Sequence, residues 1–340
     1  MKFRRFASLT AALAFAVGLL APAQARDGGE EFTSVFDAAF GTKVRAPRDF
    51  TPDFNSPLAQ RIAALADGSG GRIGVAAIDL ATGQEVAVLG DQRFPMASTS
   101  KIAIAATFLE GVDKGRWTLS SEFPMLLPVA SKPFSTTVAP VKPGQHLPAS
   151  KLIELMITRS NNSATDALLA AVGGPKAVND WARRAGIKDF QLTRDIATLV
   201  RDDGQMNPAV QIDMRDSASP RAMVQLLTGL HQGKWLSARS RQVILHEMAN
   251  CRTGTRRIPG MLPAGTSVAH KTGTLNNTSS DIGIITLPDG RALALAIYVT
   301  GQGSRGNREA RIASIARALF DGYQEQPLRQ ASREWVNARY

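Results

Sequence analysis

Ser98 and Lys101 have the spacing of a serine nucleophile with a lysine base. Residues three apart lie on one face of a helix, so the lysine amine can approach the serine hydroxyl. A serine needs a base to attack a carbonyl group at neutral pH, and a desolvated lysine can act as one. Unpaired N–H groups at a helix start also stabilise an oxyanion. Taken alone, however, the pattern is more typical of an N-capping serine followed by a surface lysine.

Two later motifs change that interpretation. Ser160-Asn161-Asn162 lies between two predicted helices, and Lys271-Thr272-Gly273-Thr274 lies on a predicted strand. The order of the three motifs, and the kind of element that carries each, match a set in which the first serine is acylated. Three independent matches in the right order therefore predict nucleophilic chemistry at Ser98.

The elements that must position these motifs are strands near both ends of the chain and helices between them. Alternating apolar and β-branched residues predict strands at 72–80, 85–89, 266–271, 282–287 and 291–300. Apolar residues at three- and four-residue spacing predict helices at 58–65, 101–108, 149–158, 164–171, 176–185, 219–230 and about 307–320. The fold class is therefore α/β (α+β). We expect an antiparallel five-stranded sheet with flanking helices, built from N- and C-terminal segments, plus an inserted all-helical domain.

The chain is predicted to consist of four parts. We expect a signal peptide over 1–25, an extended leader over 26–56, a catalytic domain over 57–322 and a polar C-terminal tail over 323–340. Within the catalytic domain, the sheet part is predicted to cover 57–97 and 234–322, and the helical part 98–233.

The first 25 residues have the features of a cleaved export signal. Lys2, Arg4 and Arg5 precede an apolar run over 9–20, and Ala23-Gln24-Ala25 has the small-x-small form of a cleavage site. The run is shorter than the roughly 20 residues that span a bilayer, which argues against a membrane anchor. We therefore expect a periplasmic or secreted protein without stable membrane insertion.

Composition excludes several other classes of protein. The 340 residues are 44% hydrophobic, which suffices for a large core, and the single Cys251 rules out an internal disulfide and a zinc module. The formal net charge is +11, or +8 without the three cations of the signal segment. The cations are scattered and aromatic residues make up only 6%, so we expect no nucleic-acid partner. The charge instead suits solubility or an anionic wall polymer or membrane surface.

A glycine pattern near the C-terminus imitates a dinucleotide site. Gly301-x-Gly303-x-x-Gly306 follows a predicted strand and opens a helix. A dinucleotide site needs a second parallel strand and an acidic residue some twenty positions on, and the chain ends in a polar stretch instead. These glycines are interpreted as the turn into the last helix, and no cofactor is expected.

Together, the three motifs make the chain resemble the class A β-lactamases and the related penicillin-binding serine hydrolases. The resemblance covers about Leu58 to Gly322 and includes Leu262-Pro263-Ala264-Gly265. In one position the chain departs from the family pattern, because Asn161 stands where the family has an aspartate. The Ser-x-Asn form that suffices in penicillin-binding proteins is kept.

The resemblance implies a role for each motif residue. Ser98 would be the acylated nucleophile, and Lys101 would help to take its proton. Ser160 would relay a proton to the leaving β-lactam nitrogen, with Lys271 adjusting it and adding positive potential near the substrate carboxylate. Asn162 would hold the side-chain amide of the substrate.

The rest of the substrate site would come from the third motif and one arginine. The backbone N–H groups of Ser98 and Thr274 would form the oxyanion hole. Thr272, Gly273 and Thr274 would line the site, and the two threonine hydroxyls with Arg257 are candidates for holding the carboxylate. Arg257 is nearly as well explained as a solvated loop arginine.

A sharper departure concerns hydrolysis of the acyl-enzyme. Class A enzymes position the hydrolytic water with a glutamate and with an asparagine four residues later, both in an Ω loop closed by an arginine–aspartate pair. The spacing places Asp203 at the glutamate position and Asn207 at the asparagine position, with Arg201 and Asp216 as the closing salt bridge. If that bridge does not form, the alignment and the role of Asp203 lose their support. The competing interpretation is that Asp203 belongs to an ordinary turn.

These residues lead to one expected function and two alternatives. The expected function is that of a monomeric, exported serine hydrolase that opens β-lactams through an acyl-enzyme on Ser98, with no metal or organic cofactor. Aspartate has a shorter side chain than glutamate, so slow deacylation is expected. The alternatives are a D-Ala-D-Ala peptidase or penicillin-binding protein, and a catalytically slow protein that binds peptidoglycan peptides.

Overall fold

The computed structural model describes residues 56–326. Its central element is a five-stranded antiparallel sheet. Its strands are β1 (Ile73–Asp79), β2 (Glu85–Val88), β8 (Val268–Leu275), β9 (Thr278–Thr286) and β10 (Ala292–Thr300). Their order in the sheet is β2-β1-β10-β9-β8. Because β1 pairs with β10, the sheet is assembled from distant parts of the sequence, which confirms the predicted fold class.

The helices pack on both faces of this sheet and in the inserted part. They are α1 (Pro57–Leu65), α2 (Lys101–Asp113), α3 (Ala149–Thr158), α4 (Asn162–Val172), α5 (Gly174–Arg184), α6 (Ile196–Arg201), α7 (Pro220–His231), α8 (Ala238–Ala249) and α9 (Arg305–Glu325). Two 3-10 helices cover Ala97–Ser100 and Ile258–Met261.

Two apolar clusters, one on each face of the sheet, form the core. On one face, α1 and α9 contribute Ile62, Ile315 and Phe320. On the other face, residues such as Ile102 and Leu168 connect the sheet to the inserted part. Every residue of β1 is buried, since this strand lies inside the sheet with both faces covered.

A tight turn joins the last two strands, β9 and β10. Leu287 accepts from the Gly290 N–H and donates to Arg291, and Gly290 has a φ of 83°, which glycine adopts at little cost. Asp289 accepts a hydrogen bond from the Arg291 N–H. The turn fixes the register in which Thr286 faces Ala292.

The inserted part is not all-helical, contrary to prediction. Strands β4 (Glu122–Pro128) and β5 (Val141–Pro148) form a hairpin, and β3 (Phe94–Pro95), β7 (Ser217–Ala218) and β6 (Phe190–Gln191) form a small second sheet. The hairpin region holds several prolines, which remove a backbone donor and clash in a helix interior. An extended conformation is therefore favoured there.

Helices α8 and α9 also go beyond the prediction. Helix α8 was not predicted, and it packs against β8 of the sheet as well as against α2 and α3. Its buried face includes the polar Ser240 and Arg241, which obscure the apolar periodicity. Helix α9 continues past the predicted end of the domain to Glu325, because Tyr323 is fully buried and its hydroxyl donates to Ala77 and Gln84.

The predicted signal peptide and leader lie outside the described residues, except for Ser56, which caps α1. Most of the predicted tail also lies outside them. No helix within 56–326 combines the length and the apolar character needed to cross a membrane.

Candidate active site

Ser98 lies in the 3-10 helix that leads directly into α2, and Lys101 is the first residue of α2. Ser98 is partly exposed, whereas Lys101 is fully buried. The preceding Ala97 has a φ of 49°, a conformation that costs energy for a residue other than glycine. The backbone is therefore turned sharply just before the nucleophile.

The first and second motifs meet at the Lys101 ammonium group. Its Nζ donates to the Ser160 carbonyl oxygen at 2.7 Å and to the Asn162 Oδ1 at 2.8 Å, and it lies 3.3 Å from the Ser160 Oγ. Ser160 has a φ of 56° in the link between α3 and α4, which turns its carbonyl and hydroxyl toward Lys101. The lysine of the first motif is therefore held by the second motif.

The third motif approaches the same hydroxyl from the sheet. The Lys271 Nζ donates to the Ser160 Oγ at 3.0 Å and to the Thr272 carbonyl at 2.9 Å. Two lysines thus converge on one serine hydroxyl. Burial lowers the pKa of Lys271 to about 8. Burial, helped by the charge of Lys271, holds the pKa of Lys101 well below its ordinary value.

Gly273 explains how β8 comes so close to the nucleophile. A Cβ atom at this position would lie 2.4 Å from the Ser280 Oγ, 2.7 Å from the Met96 carbonyl oxygen and 3.1 Å from the Ala97 Cβ. Only a residue without a side chain allows this approach. As a result, the Lys-Thr-Gly strand lies directly against the segment that precedes Ser98.

Asn161, where the chain departs from the family, has a clear local role. It is the N-cap of α4, and its Oδ1 accepts a hydrogen bond from the Ala164 N–H at 2.8 Å. Asparagine and aspartate are equally good N-caps. The substitution therefore preserves the helix start that presents Ser160 and Asn162.

Arg257 is not a solvated loop residue. Its side chain is 1% exposed, and its Nη2 donates to the Thr274 Oγ1 at 2.7 Å. It also donates to the Gly273 carbonyl and forms an ion pair with Glu309. Arg257 therefore orients Thr274 and supplies positive charge beside the third motif.

Thr272 has a partner that the sequence did not reveal. The Thr253 Oγ1 lies 2.6 Å from the Thr272 Oγ1, so the two hydroxyls share a hydrogen bond. Next to them, the His270 Nδ1 lies 2.9 Å from an Asp281 carboxylate oxygen. Burial alone would lower the pKa of His270, but Asp281 outweighs it and raises this pKa to about 10.

The predicted Arg201–Asp216 salt bridge is wrong. The Arg201 Nε pairs with the adjacent Asp202 at 2.7 Å, and the Arg201 guanidinium also donates to Thr136 of the β4–β5 loop. Asp216 pairs with the Arg194 Nε at 2.6 Å and accepts from the Thr193 N–H. Arg201 therefore pairs with the adjacent Asp202, and Asp216 pairs with Arg194.

The Ω loop (residues 201–216) places Asp203 and Asn207 at the turn that joins β8 to β9. Asp203 is exposed, and its Oδ2 accepts from the Asn276 N–H at 2.8 Å. The Asn207 Oδ1 accepts from the Asn277 Nδ2 at 3.0 Å. The structure thus brings these two residues to the edge of the third motif. The hydrogen bonds of the Lys101 Nζ go instead to Ser160 and Asn162 of the second motif.

Asp166 is a further charged residue that the sequence reasoning missed. Its carboxylate accepts from the Ile196 and Ala197 N–H groups at 2.7 and 2.9 Å, which fixes the start of α6. Burial raises its pKa to about 6. Its position four residues after Asn162 puts both on one face of α4, a spacing that was available from the sequence.

Comparisons with known proteins agree with this geometry. A model of the β-lactamase enzyme family matches residues 57–323. The extended-spectrum β-lactamase PER-1 of Pseudomonas aeruginosa is 30% identical over 285 residues, which cover 80% of this chain and 89% of that protein. The β-lactamase CTX-M-8 of Citrobacter amalonaticus is 33% identical over 274 residues, which cover 78% of this chain and 88% of that protein.

Solved structures give the same result. A β-lactamase from Chitinophaga pinensis has a TM-score of 0.69 and 30% identity, and the match covers 79% of this chain and all of that chain. An ancestral class A β-lactamase has a TM-score of 0.67 and 34% identity, covering 78% of this chain and 99% of that chain.

The fold and the motifs define a serine hydrolase that acts through an acyl-enzyme. The chain belongs to the β-lactamase enzyme family, in its class A group, and is a hydrolase of the β-lactam amide bond.

Proposed function

We propose that Ser98 is the residue acylated by the β-lactam, that Lys101 takes its proton, and that both lysines supply protons to the leaving group through Ser160. The observation that carries this proposal is the convergence of both lysine Nζ atoms on the Ser160 Oγ, at 3.3 and 3.0 Å. Lysines are rarely fully buried, and here two lie side by side. Such mutual repulsion favours loss of a proton from one of them.

Acylation is proposed to use Lys101, Ser98 and Ser160 in a fixed sequence of proton transfers. Neutral Lys101 takes the Ser98 hydroxyl proton as the Ser98 Oγ bonds to the β-lactam carbonyl carbon. The carbonyl C–N bond breaks, and the leaving nitrogen takes the Ser160 hydroxyl proton. Ser160 is reprotonated from an adjacent ammonium group, so each proton is accounted for.

The negative charges of the substrate would be stabilised by the edge strand β8 and its neighbours. The oxyanion would be held by the N–H groups of Ser98 and Thr274, since β8 is an edge strand with one side unpaired. The carboxylate would bind the hydroxyls of Thr272 and Thr274, with Arg257 behind them. Asn162 would contact the side-chain amide of the substrate.

Deacylation is proposed to depend on Asp203 and Asn207 and to be slow. The alignment that put Asp203 at the glutamate position is refuted, because Asp216 pairs with Arg194 and the residue two positions after Arg194 is Ile196. Asp203 and Asn207 are proposed on a different ground, which is their position at the β8–β9 turn beside the third motif. In this structure Asp203 is bonded to the Asn276 N–H. It must exchange that bond for a water near Ser98, and such a rearrangement slows turnover.

We also propose that the protein is exported to the periplasm or secreted and acts as a monomer on small β-lactams without a cofactor. Export rests on the pattern of residues 1–25, which lie outside the described part of the chain. Mass spectrometry of the mature chain should find a new N-terminus at Arg26, and sedimentation should give the mass of one chain. An uncleaved N-terminus or a stable dimer would contradict these points.

A fluorescent penicillin combined with a nitrocefin assay tests the function. The expected result is a covalent label on the parent protein that forms quickly and decays slowly, with measurable nitrocefin turnover. Ser98→Ala should show neither, and Ser163→Ala, a serine of the same region outside the proposed chemistry, should show both. A label that never decays would instead favour a penicillin-binding protein or a peptidoglycan-peptide binder. Labelling of Ser98→Ala would show that the nucleophile is misassigned.

A further inference from the structure

Arg72 lies just before β1 and holds the Ω loop by its backbone. Its Nε and Nη2 both donate to the Pro208 carbonyl oxygen, at 3.1 and 2.9 Å. Its Nη2 also donates to the Gln211 carbonyl at 3.1 Å. Pro208 directly follows Asn207, so this attachment is one residue from a side chain proposed for deacylation.

The other side of the same guanidinium holds the segment that leads to the nucleophile. The Arg72 Nη1 donates to the Gln92 Oε1 at 2.9 Å and to the Arg93 carbonyl at 3.1 Å. The guanidinium carbon lies 4.6 Å from the centre of the Phe94 ring. Phe94 begins the short run of residues that ends at Ser98.

The chemistry of this contact requires arginine. All three nitrogens of the Arg72 guanidinium donate, and their five hydrogen bonds go to neutral carbonyl or amide oxygens. Arginine presents five N–H donors in a rigid plane and stacks on aromatic rings, whereas lysine has one ammonium on a flexible stem. Burial lowers the pKa of Arg72, yet arginine stays charged in proteins.

We propose that Arg72 is a positioning residue for deacylation, which fixes the Ω loop at a set distance from the Ser98 segment. It adds a second attachment to the one that the Arg194–Asp216 ion pair gives at the end of the loop. This inference rests on the proposed roles of Ser98 and of the Ω loop. Arg72 does not contact the substrate, and the Ser98 segment is also held by the pairing of β3 with β7, so we expect its loss to affect deacylation and not acylation.

Separate measurement of acylation and deacylation tests the proposal. Stopped-flow mixing with a slow chromogenic β-lactam gives the acylation rate, and decay of the adduct mass gives the deacylation rate. For Arg72→Lys and Arg72→Gln we expect deacylation to slow by roughly tenfold to 100-fold, as for a displacement of about 1 Å, with acylation unchanged. Arg317→Lys is the matched control, because Arg317 also donates to a backbone carbonyl, that of Met261, but on α9.

Hydrogen exchange supplies a readout of the loop itself. The amides of residues 207–213 should exchange faster in the Arg72 variants, while those of β1 should keep their protection. Equal losses in acylation and deacylation, or lost protection throughout the sheet, would overturn the positioning role, as would failure of both variants to fold. Unchanged deacylation in a folded variant would overturn it as well.

The same assay separates this proposal from the proposed function. If Ser98→Ala still forms the adduct, the nucleophile is wrong whatever Arg72 does. If Asp203→Asn deacylates at the parent rate while Arg72→Lys is slow, the attachment stands and only the base is wrong.

Discussion

Ser160 lies between two lysines, one of which must be neutral and the other charged. The proposed chemistry uses Lys101 as a neutral base and Lys271 as a cation near the substrate carboxylate. Both are fully buried, and burial is the largest cause that lowers the pKa of each. The two lysines therefore set the pH range in which the site works.

The first prediction is a bell-shaped pH profile of kcat/KM. Activity should rise as Lys101 loses its proton, and it should fall above about pH 8 as Lys271 loses its charge and the carboxylate is bound more weakly. Lys271→Arg should move the falling limb to higher pH, because arginine stays charged. Lys234→Arg, at an exposed lysine, should leave the profile unchanged. A falling limb that Lys271→Arg does not move would remove Lys271 from this role.

The second prediction concerns Asp203. A burst of product followed by slow turnover is expected, and Asp203→Asn should slow deacylation by a further ~10²-fold while acylation is kept. Asp203→Glu should change deacylation far more than acylation. Asp213→Asn is the control, since this carboxylate of the same loop bonds Arg215. Parent-rate turnover by Asp203→Asn would make Asp203 a turn residue only.

The motif residues could be predicted from the sequence because their chemistry depends on local spacing. Ser98 and Lys101 are one helical turn apart wherever that helix lies. The partner of Arg201 could not be predicted, because the choice between Asp202 and Asp216 depends on where a distant loop brings Thr136. Arg72 was missed for the same reason, since backbone carbonyls leave no trace in a residue pattern.

At the scale of elements, the Ω loop is attached to several parts of the fold besides the β8–β9 turn that bonds Asp203 and Asn207. Arg194 holds its end at Asp216, the β4–β5 loop holds its start at Arg201, and Arg72 holds its middle at Pro208. These attachments come from both the sheet part and the inserted part, so the position of the loop depends on how the two parts pack together.

The third prediction tests the corrected ion pair. Double-mutant cycles should give a coupling energy of about 1–3 kcal/mol between Arg194 and Asp216 in unfolding experiments, since Asp216 is almost fully buried. The coupling between Arg201 and Asp216 should be near zero. The reverse ranking would restore the arrangement expected from the sequence.

The fourth prediction concerns the contact between β8 and the nucleophile segment. Gly273→Ala must push β8 away from Met96 and Ser280, so the rate of acylation should fall by roughly 10²-fold while the protein stays folded. Gly306→Ala is the control, because its Cβ would meet nothing closer than 3.6 Å inside α9. Parent-like acylation by Gly273→Ala would show that the close approach is not required.

Element types were more predictable than their partners. The terminal strands show alternating and β-branched residues, and all five were predicted. Helix α8 was missed because buried polar side chains interrupt its apolar face, and the β4–β5 hairpin was missed because a solvent-facing two-stranded ribbon needs little apolar alternation.

On the scale of the whole molecule, Tyr323 joins the C-terminal helix to the first hairpin. Its ring is fully buried, and its hydroxyl donates to the carbonyls of Ala77 and Gln84, both at 3.1 Å. Arg291 donates to the Tyr323 carbonyl from the opposite side. The last turns of α9 therefore belong to the core.

The fifth prediction follows from this position. Tyr323→Ala should lower the free energy of unfolding by about 3–5 kcal/mol, as expected for a large buried aromatic side chain. Tyr323→Phe should cost only about 1–2 kcal/mol, through loss of the hydrogen bond that its single O–H shares between the two carbonyls. Urea denaturation measures both. Equal stability of Tyr323→Ala and the parent would place the end of the folded domain before this residue.

The pairing of Ile73 with Val299 also determines when the protein can become active during its synthesis. The first hairpin leaves the ribosome early, but its neighbour in the sheet is among the last segments made. Contacts so far apart in sequence are slow to form, because the intervening chain must first lose entropy. Until then one edge of β1 has no partner, and such an edge can pair with other chains. A newly made chain therefore exposes this edge of β1 until its final strands have been made.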